Sequence, residues 1–140
     1  MADLTITAAN VAASATATVD RQRNAGESFT AGQVVYLKSS DNKYYKADAN
    51  SGTAEARTPT GIALNTGVAG QPCAVVSADT SLAIGATVVV GTVYVLSATA
   101  GGIAPVADLV SGDYVTILGV GVTASTIKLS LLSSGVAVPA

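Results

Sequence analysis

Short runs of β-branched and aromatic residues recur along the chain, separated by turn-forming residues. Leu4-Thr5-Ile6-Thr7 alternates with period two, and Gln33–Lys38, Lys43–Lys46 and Cys73–Val76 are compact apolar or aromatic runs. Thr87–Val90, Thr92–Leu96, Tyr114–Leu118 and Thr126–Leu131 follow. The breaks between them carry Ser40-Asp41-Asn42, Gly70-Gln71-Pro72, Gly101-Gly102 and Ser111-Gly112-Asp113. Val, Thr and Tyr suit a pleated surface on which successive side chains point to opposite faces. Many short strands with Gly-bearing turns predict an all-β fold, either a compact sandwich or a β-tulip-like barrel. Helix is expected only as isolated turns, at Thr53–Arg57 ahead of Pro59 and at Asp79–Ala83. Both fall far short of the ~12 residues an independent helix needs.

Residues 1–25 read as an extended N-terminal arm and 26–140 as one β domain. Ala8–Thr18 is rich in Ala but punctuated by Thr, Ser and Val without an amphipathic face, so an extended arm is expected there rather than a helix. Within the body a faint repeat recurs at an offset of about 58 residues. Gly32-Gln-Val-Val-Tyr36-Leu leads to Lys46-Ala-Asp48 and Gly61-Ile62-Ala63, and Gly91-Thr-Val-Tyr94-Val-Leu leads to Val106-Ala-Asp108 and Gly119-Val120-Gly121. The body is therefore either two related β units, about 26–78 and 85–132, or a series of similar Gly-bounded hairpins.

Charge changes this picture. Charged residues make up 11% of the chain, against roughly a quarter in an average domain. They are also unevenly placed, since residues 58–140 carry only Asp79, Asp108, Asp113 and Lys128. A surface so poor in charge points to faces hidden against other subunits, with a hydroxyl-rich solvated β surface as the plain alternative. The net charge of −2 argues against nucleic acid as a partner. The first residues lack a basic segment followed by an apolar core, so no secretory signal is expected. Ala86–Ala98 is too short to span a bilayer as a helix, and no membrane partner is expected.

Little in the sequence supports catalysis. The chain has no His, the commonest general base and metal ligand, and its single Cys73 lies in an apolar run without a basic neighbour. Gly119-Val-Gly-Val-Thr-Ala124 satisfies a dinucleotide-binding pattern, but a strand-like run follows where a helix should open. Asp48-Ala-Asn50-Ser-Gly52 resembles the start of a calcium loop with its later ligands missing, and an Asx turn is the simpler reading. Ser40–Lys43 and Ser125–Lys128 match a Ser-x-x-Lys spacing without its companion motifs. No catalytic, cofactor or metal residues are expected, and the chain does not read as an enzyme. The arm is the candidate partner-binding element. Leu4, Ile6 and Val11 supply apolar positions for adding a strand to an exposed sheet edge. Arg21 and Arg23 are either a solvated pair or an anchor on an acidic partner. The arm is too small to fold alone, so it is expected to be ordered mainly by another subunit.

The pattern Gly26-Glu27, Gly32-Gln-Val-Val-Tyr36, Tyr45-Lys-Ala-Asp48, Gly61-Ile62-Ala63 and Gly70-Gln71 resembles the small capsid decoration, or cement, proteins of tailed phages. Gly85-Ala86, Gly91-Thr-Val-Tyr94-Val, Ala100-Gly101-Gly102-Ile103 and Gly119-Val120 extend the resemblance over about residues 25–132. It implies a non-enzymatic all-β homotrimer made in the host cytoplasm and carried on the outer capsid surface of the virion. There it would bind the major capsid protein and stabilise the shell by bridging neighbouring subunits. A receptor- or carbohydrate-binding module of a virion fibre and a tail structural subunit are the alternatives.

Overall fold

The computed structural model describes residues 3–139 and is all-β, a single antiparallel sheet curled into a half-barrel. Its strands are β1 (Val11–Ala12), β2 (Thr18–Asp20), β3 (Val34–Lys38), β4 (Lys43–Lys46) and β5 (Gly61–Ala63), followed by β6 (Val75–Ile84), β7 (Val93–Leu96), β8 (Ile103–Pro105), β9 (Tyr114–Gly121) and β10 (Thr126–Ala137). Single 3-10 turns cover Ala8–Asn10, Glu55–Arg57 and Val106–Asp108.

The main path through the sheet is β4-β3-β5-β6-β10-β9-β7-β8. Read inward from each end, its halves have the same order: hairpin partner, first strand, third strand, fourth strand. The hydrogen bonds match too. Gly32 N–H donates to the Ala63 carbonyl and Ala63 N–H to Gln33, as Gly91 donates to Gly121 and Gly121 to Thr92. The ladder pairs Val34 with Ile62 and Ile62 with Val76, and equivalently Val93 with Val120 and Val120 with Lys128.

The two halves turn opposite faces inward. Val34, Ile62 and Val76 are fully buried in the main core, while of their counterparts Val93 is half-buried and Val120 and Lys128 are exposed. In the second half the inner face belongs to Tyr94, Leu96, Leu118, Ile127 and Leu129. Burying each such side chain contributes roughly 1.5–3 kcal/mol. The curl is closed where the β7–β8 loop meets the first half: Val34 N–H donates to Gly101, Gly101 N–H to Ala47, and Ala49 N–H to Ser97. A smaller cluster of Ala25, Phe29, Val35, Tyr44, Ala63, Cys73 and Val75 covers the outer face of the first half.

Four expectations need correction. Asp79–Ala83 is not a helical turn but the middle of β6, where ladder partners on both edges override the weak strand propensity of Asp, Ser and Ala. Thr87–Val90 is not a strand; it leads into a turn closed by Thr92 N–H to the Val89 carbonyl and pinned by Val89 N–H to the Tyr94 hydroxyl. Leu4–Thr7 is extended but unladdered, held at Leu4 N–H to Ile103 and Thr7 N–H to Gly85. Finally, the arm is ordered on its own body rather than by another subunit. β1 and β2 both pair with β6.

Candidate interaction surface

The register of β6 shows where the arm lies. Val76 pairs with Ile62 and Val19, Ala78 with Ser130 and Thr18, and Ala83 with Thr126 and Ala12. A residue in a ladder has two edges, so β5 and β10 follow one another along one edge of β6 and the arm runs along the other. An open strand edge of this length would invite pairing with other chains.

Of the arm residues predicted to meet a partner, Leu4 and Ile6 are half-buried and pack against the main core. The Ile6 and Val11 methyls fill the space beside Gly32 where a Cβ would otherwise sit, and Val11 also lies against Gly85. Arg23 is engaged within the chain, 2.7 Å from Asp20, which also accepts from Gln22 N–H and the Tyr44 hydroxyl. These contacts, led by the Gln22 N–H, hold the Asp20 carboxyl below its ordinary range despite partial burial. Arg21 is exposed and in no ion pair among the described residues. The structure thus brings Leu4, Ile6 and Val11 together on the body and leaves Arg21 apart.

The residue that sequence reasoning missed is Asp79. It is 3% exposed and accepts from Ser14 N–H at 2.8 Å, the Ser14 hydroxyl, the Thr16 hydroxyl at 3.5 Å and Ser81 N–H at 3.0 Å. Thr16 and Thr80 hydroxyls meet alongside at 2.7 Å. Among the described residues no cation pairs with Asp79. Ser14 and Asp79 are 65 residues apart, so local sequence carries no trace of the contact; the one signal was a lone acid in a charge-poor stretch.

Burial alone would raise the Asp79 pKa, but the donors from Ser14, Ser81 and Thr16 outweigh it and hold the carboxyl below its ordinary 3.8. A depressed carboxylate contributes stability that is complete above the unfolded value and lost as pH falls through the folded one. Thermal unfolding followed from pH 6 down to about pH 2 should therefore show falling stability below about pH 4. Asp79→Asn should be less stable at pH 6 and fall less steeply; a parallel decline in both proteins would remove Asp79 from the account.

Other features offer less. Cys73 is buried, its thiol raised by burial and then by Asp20, and its Sγ lies 3.5 Å from the Arg23 carbonyl oxygen. Gly119 and Gly121 lie within β9 beside the Lys128 and Val89 carbonyls rather than before a helix. Asn50 N–H donates to Asp48, forming the Asx turn. A depression of about 540 Å³ is lined by Asp3, Asp108 and Asp113, among others, but the described residues contain no acid, His or Cys cluster set to hold a metal. Tyr36, Tyr44 and Tyr94 are buried, and the Arg57 guanidinium stacks 3.7 Å above the Tyr114 ring. That leaves little aromatic surface for a sugar platform.

The exposed apolar residues are concentrated instead. Val68, Val89, Val90, Val106, Val110, Val120, Val122, Leu132 and Val136 all fall in the charge-poor stretch 58–140, whose Asp79 and Asp113 are themselves buried. Val89, Val90, Val120 and Val122 come from the two segments joined by the Gly91–Gly121–Thr92 backbone bonds, and Val120, opposite the exposed Lys128, holds the place that Ile62 buries in the first half. No family model, curated protein or solved structure matches this chain.

Proposed function

We propose that this chain is a structural virion protein, a capsid decoration protein that binds the major capsid protein on the outside of an assembled phage shell, as a homotrimer. The observation that carries this reading is the set of exposed valines Val89, Val90, Val120 and Val122 in a stretch poor in charge, where Lys128 beside Val120 is the one cation. Large exposed apolar surfaces on a folded chain mark protein contacts. The resemblance in the glycine and strand pattern gives the contact its partner.

The mechanism is mechanical, with no chemical step. A protein that binds only the assembled lattice adds its binding free energy to that state by mass action and so opposes rupture. Weak contacts repeated by symmetry become strong together. The test is to heat shells with and without bound protein and record the temperature of genome release. A higher release temperature in the presence of protein is expected; equal temperatures at saturating protein would reject the cementing role.

A further inference from the structure

We propose that the N-terminal arm exchanges between copies of this chain, Ser14 and Thr16 of one copy capping Asp79 on the β6 edge of another. This goes beyond shell binding and concerns the free protein.

The arm has the marks of a detachable element. No residue from Asp3 to Asn24 is fully buried, whereas β6 beneath it holds Val75, Val76, Leu82 and Ile84 at 1% exposure or less. The fully buried core is built from residues of the body, and Leu4, Ile6, Ala17 and Val19 only pack onto it from outside. Elements with few buried apolar contacts open well before the global fold does. The arm joins the body through Arg21-Gln22-Arg23-Asn24, all exposed, before the chain dives in at Ala25. Within it the Arg23 and Asn24 carbonyls already accept from Cys73 N–H and Tyr44 N–H of the body, so the hinge is Arg21-Gln22.

Opening has a cost that selects what replaces the arm. It leaves one edge of β6 unpaired from Val75 to Ile84 and strips Asp79 of its Ser14 and Thr16 donors, keeping only Ser81 N–H. A buried carboxylate short of donors is strongly unfavourable. The groove is restored only by a strand that brings two N–H ladders and a Ser-x-Thr hydroxyl pair between them. Another copy's arm offers that chemistry identically, so the contacts are the same within a chain and between chains. What favours the closed form is the Asp20 turn: Gln22 N–H at 2.9 Å, Arg23 at 2.7 Å and the Tyr44 hydroxyl at 2.8 Å all converge on its carboxylate. Weakening a hinge turn is a low-cost route to such swaps.

Thr16→Cys and Thr80→Cys provide the test, because their parent hydroxyls touch and both positions are exposed. The two single variants are mixed as full chains over a range of concentrations, then oxidised. Exchange predicts a disulfide-linked heterodimer absent from either variant alone, forming about tenfold faster when both carry Asp20→Ala, since charge-assisted bonds of this kind are lost. If the Thr16→Cys/Thr80→Cys double variant closes within one chain while the mixture yields no heterodimer, the proposal is overturned. Light scattering on the unmodified protein gives an independent check. A mass fixed at 13.7 kDa at every concentration also overturns it, whatever the cysteines do. No shell is present in either assay, so failure here leaves shell binding itself intact, though a fixed monomer mass would also remove the homotrimer from that reading; loss of shell binding in turn leaves arm exchange intact.

Discussion

Replacing Gly119 by Ala is expected to destabilise the fold by about 3 kcal/mol, a drop of roughly 10 °C in a chain of this length. Gly119 sits in the interior of β9, between Tyr94 of β7 and Leu129 of β10. A Cβ built there would lie 2.0 Å from the Lys128 carbonyl oxygen and 2.9 Å from its carbon. Those atoms belong to a ladder strand, not to the flexible end of a side chain, so relief requires the strands to part. The need is for space rather than for an unusual backbone angle, as Gly119 is not among the glycines with positive φ. Gly61 occupies the matching place in the first half, with a Cβ 2.2 Å from the Val76 carbonyl oxygen, and Gly61→Ala should behave alike. Gly52→Ala is the control: nothing lies within 4 Å, and its effect should stay within about 0.5 kcal/mol. Thermal unfolding followed by circular dichroism reads all three. A Gly119→Ala protein melting within a degree of the parent would show that β9 and β10 are not held as closely as described.

These two glycines also mark how far the sequence could be read. β3, β4, β7, β9 and β10 were legible because each is a dense run of Val, Ile, Leu or Tyr between turn residues, so propensity and tertiary context agree. β6 was only half legible. Its first residues are Val75 and Val76, but Ser77–Ala83 offers little apolar signal, and it is a strand because the arm and β10 pair with both its edges. Thr87–Val90 failed in the opposite sense. Three consecutive valines carry strong β propensity, yet the Val89 carbonyl accepts from Thr92 N–H to close the turn before β7, and Val89 and Val90 are 63% exposed there. Propensity describes a half-buried pleated surface, and at that place one side of the surface is missing. The arm's alternation at Leu4–Thr7 suggested edge pairing, but that segment is unladdered, and the pairing with β6 is made by Val11–Ala12 and Thr18–Asp20, which do not alternate. The arm's donors to Asp79, Ser14 and Thr16, lie far from it in sequence.

Converting the exposed valines to charges should abolish assembly contacts while leaving the fold intact. Val90→Asp and Val122→Asp, combined, place carboxylates at positions 63% and 41% exposed, both outside the ladders. Surface changes of this kind shift stability by no more than about 0.5 kcal/mol each. Within an apolar contact the same carboxylates would have to be desolvated without a partner, at a cost that reaches several kcal/mol even after partial relief by water. Binding to shells, measured by co-sedimentation, should therefore weaken at least ~100-fold, equivalent to about 2.7 kcal/mol. The pairing of results matters more than either alone. An unchanged melting temperature with lost binding assigns the patch to assembly. Unchanged binding would move the shell contact elsewhere on the charge-poor half, to Val106 and Val110 or to Leu132 and Val136, which are the remaining exposed apolar pairs there. The two halves differ at this face: the ladder positions that bury Val34, Ile62 and Val76 in the first half hold half-buried Val93 and exposed Val120 and Lys128 in the second, so Val120 stays exposed where its counterpart Ile62 is core.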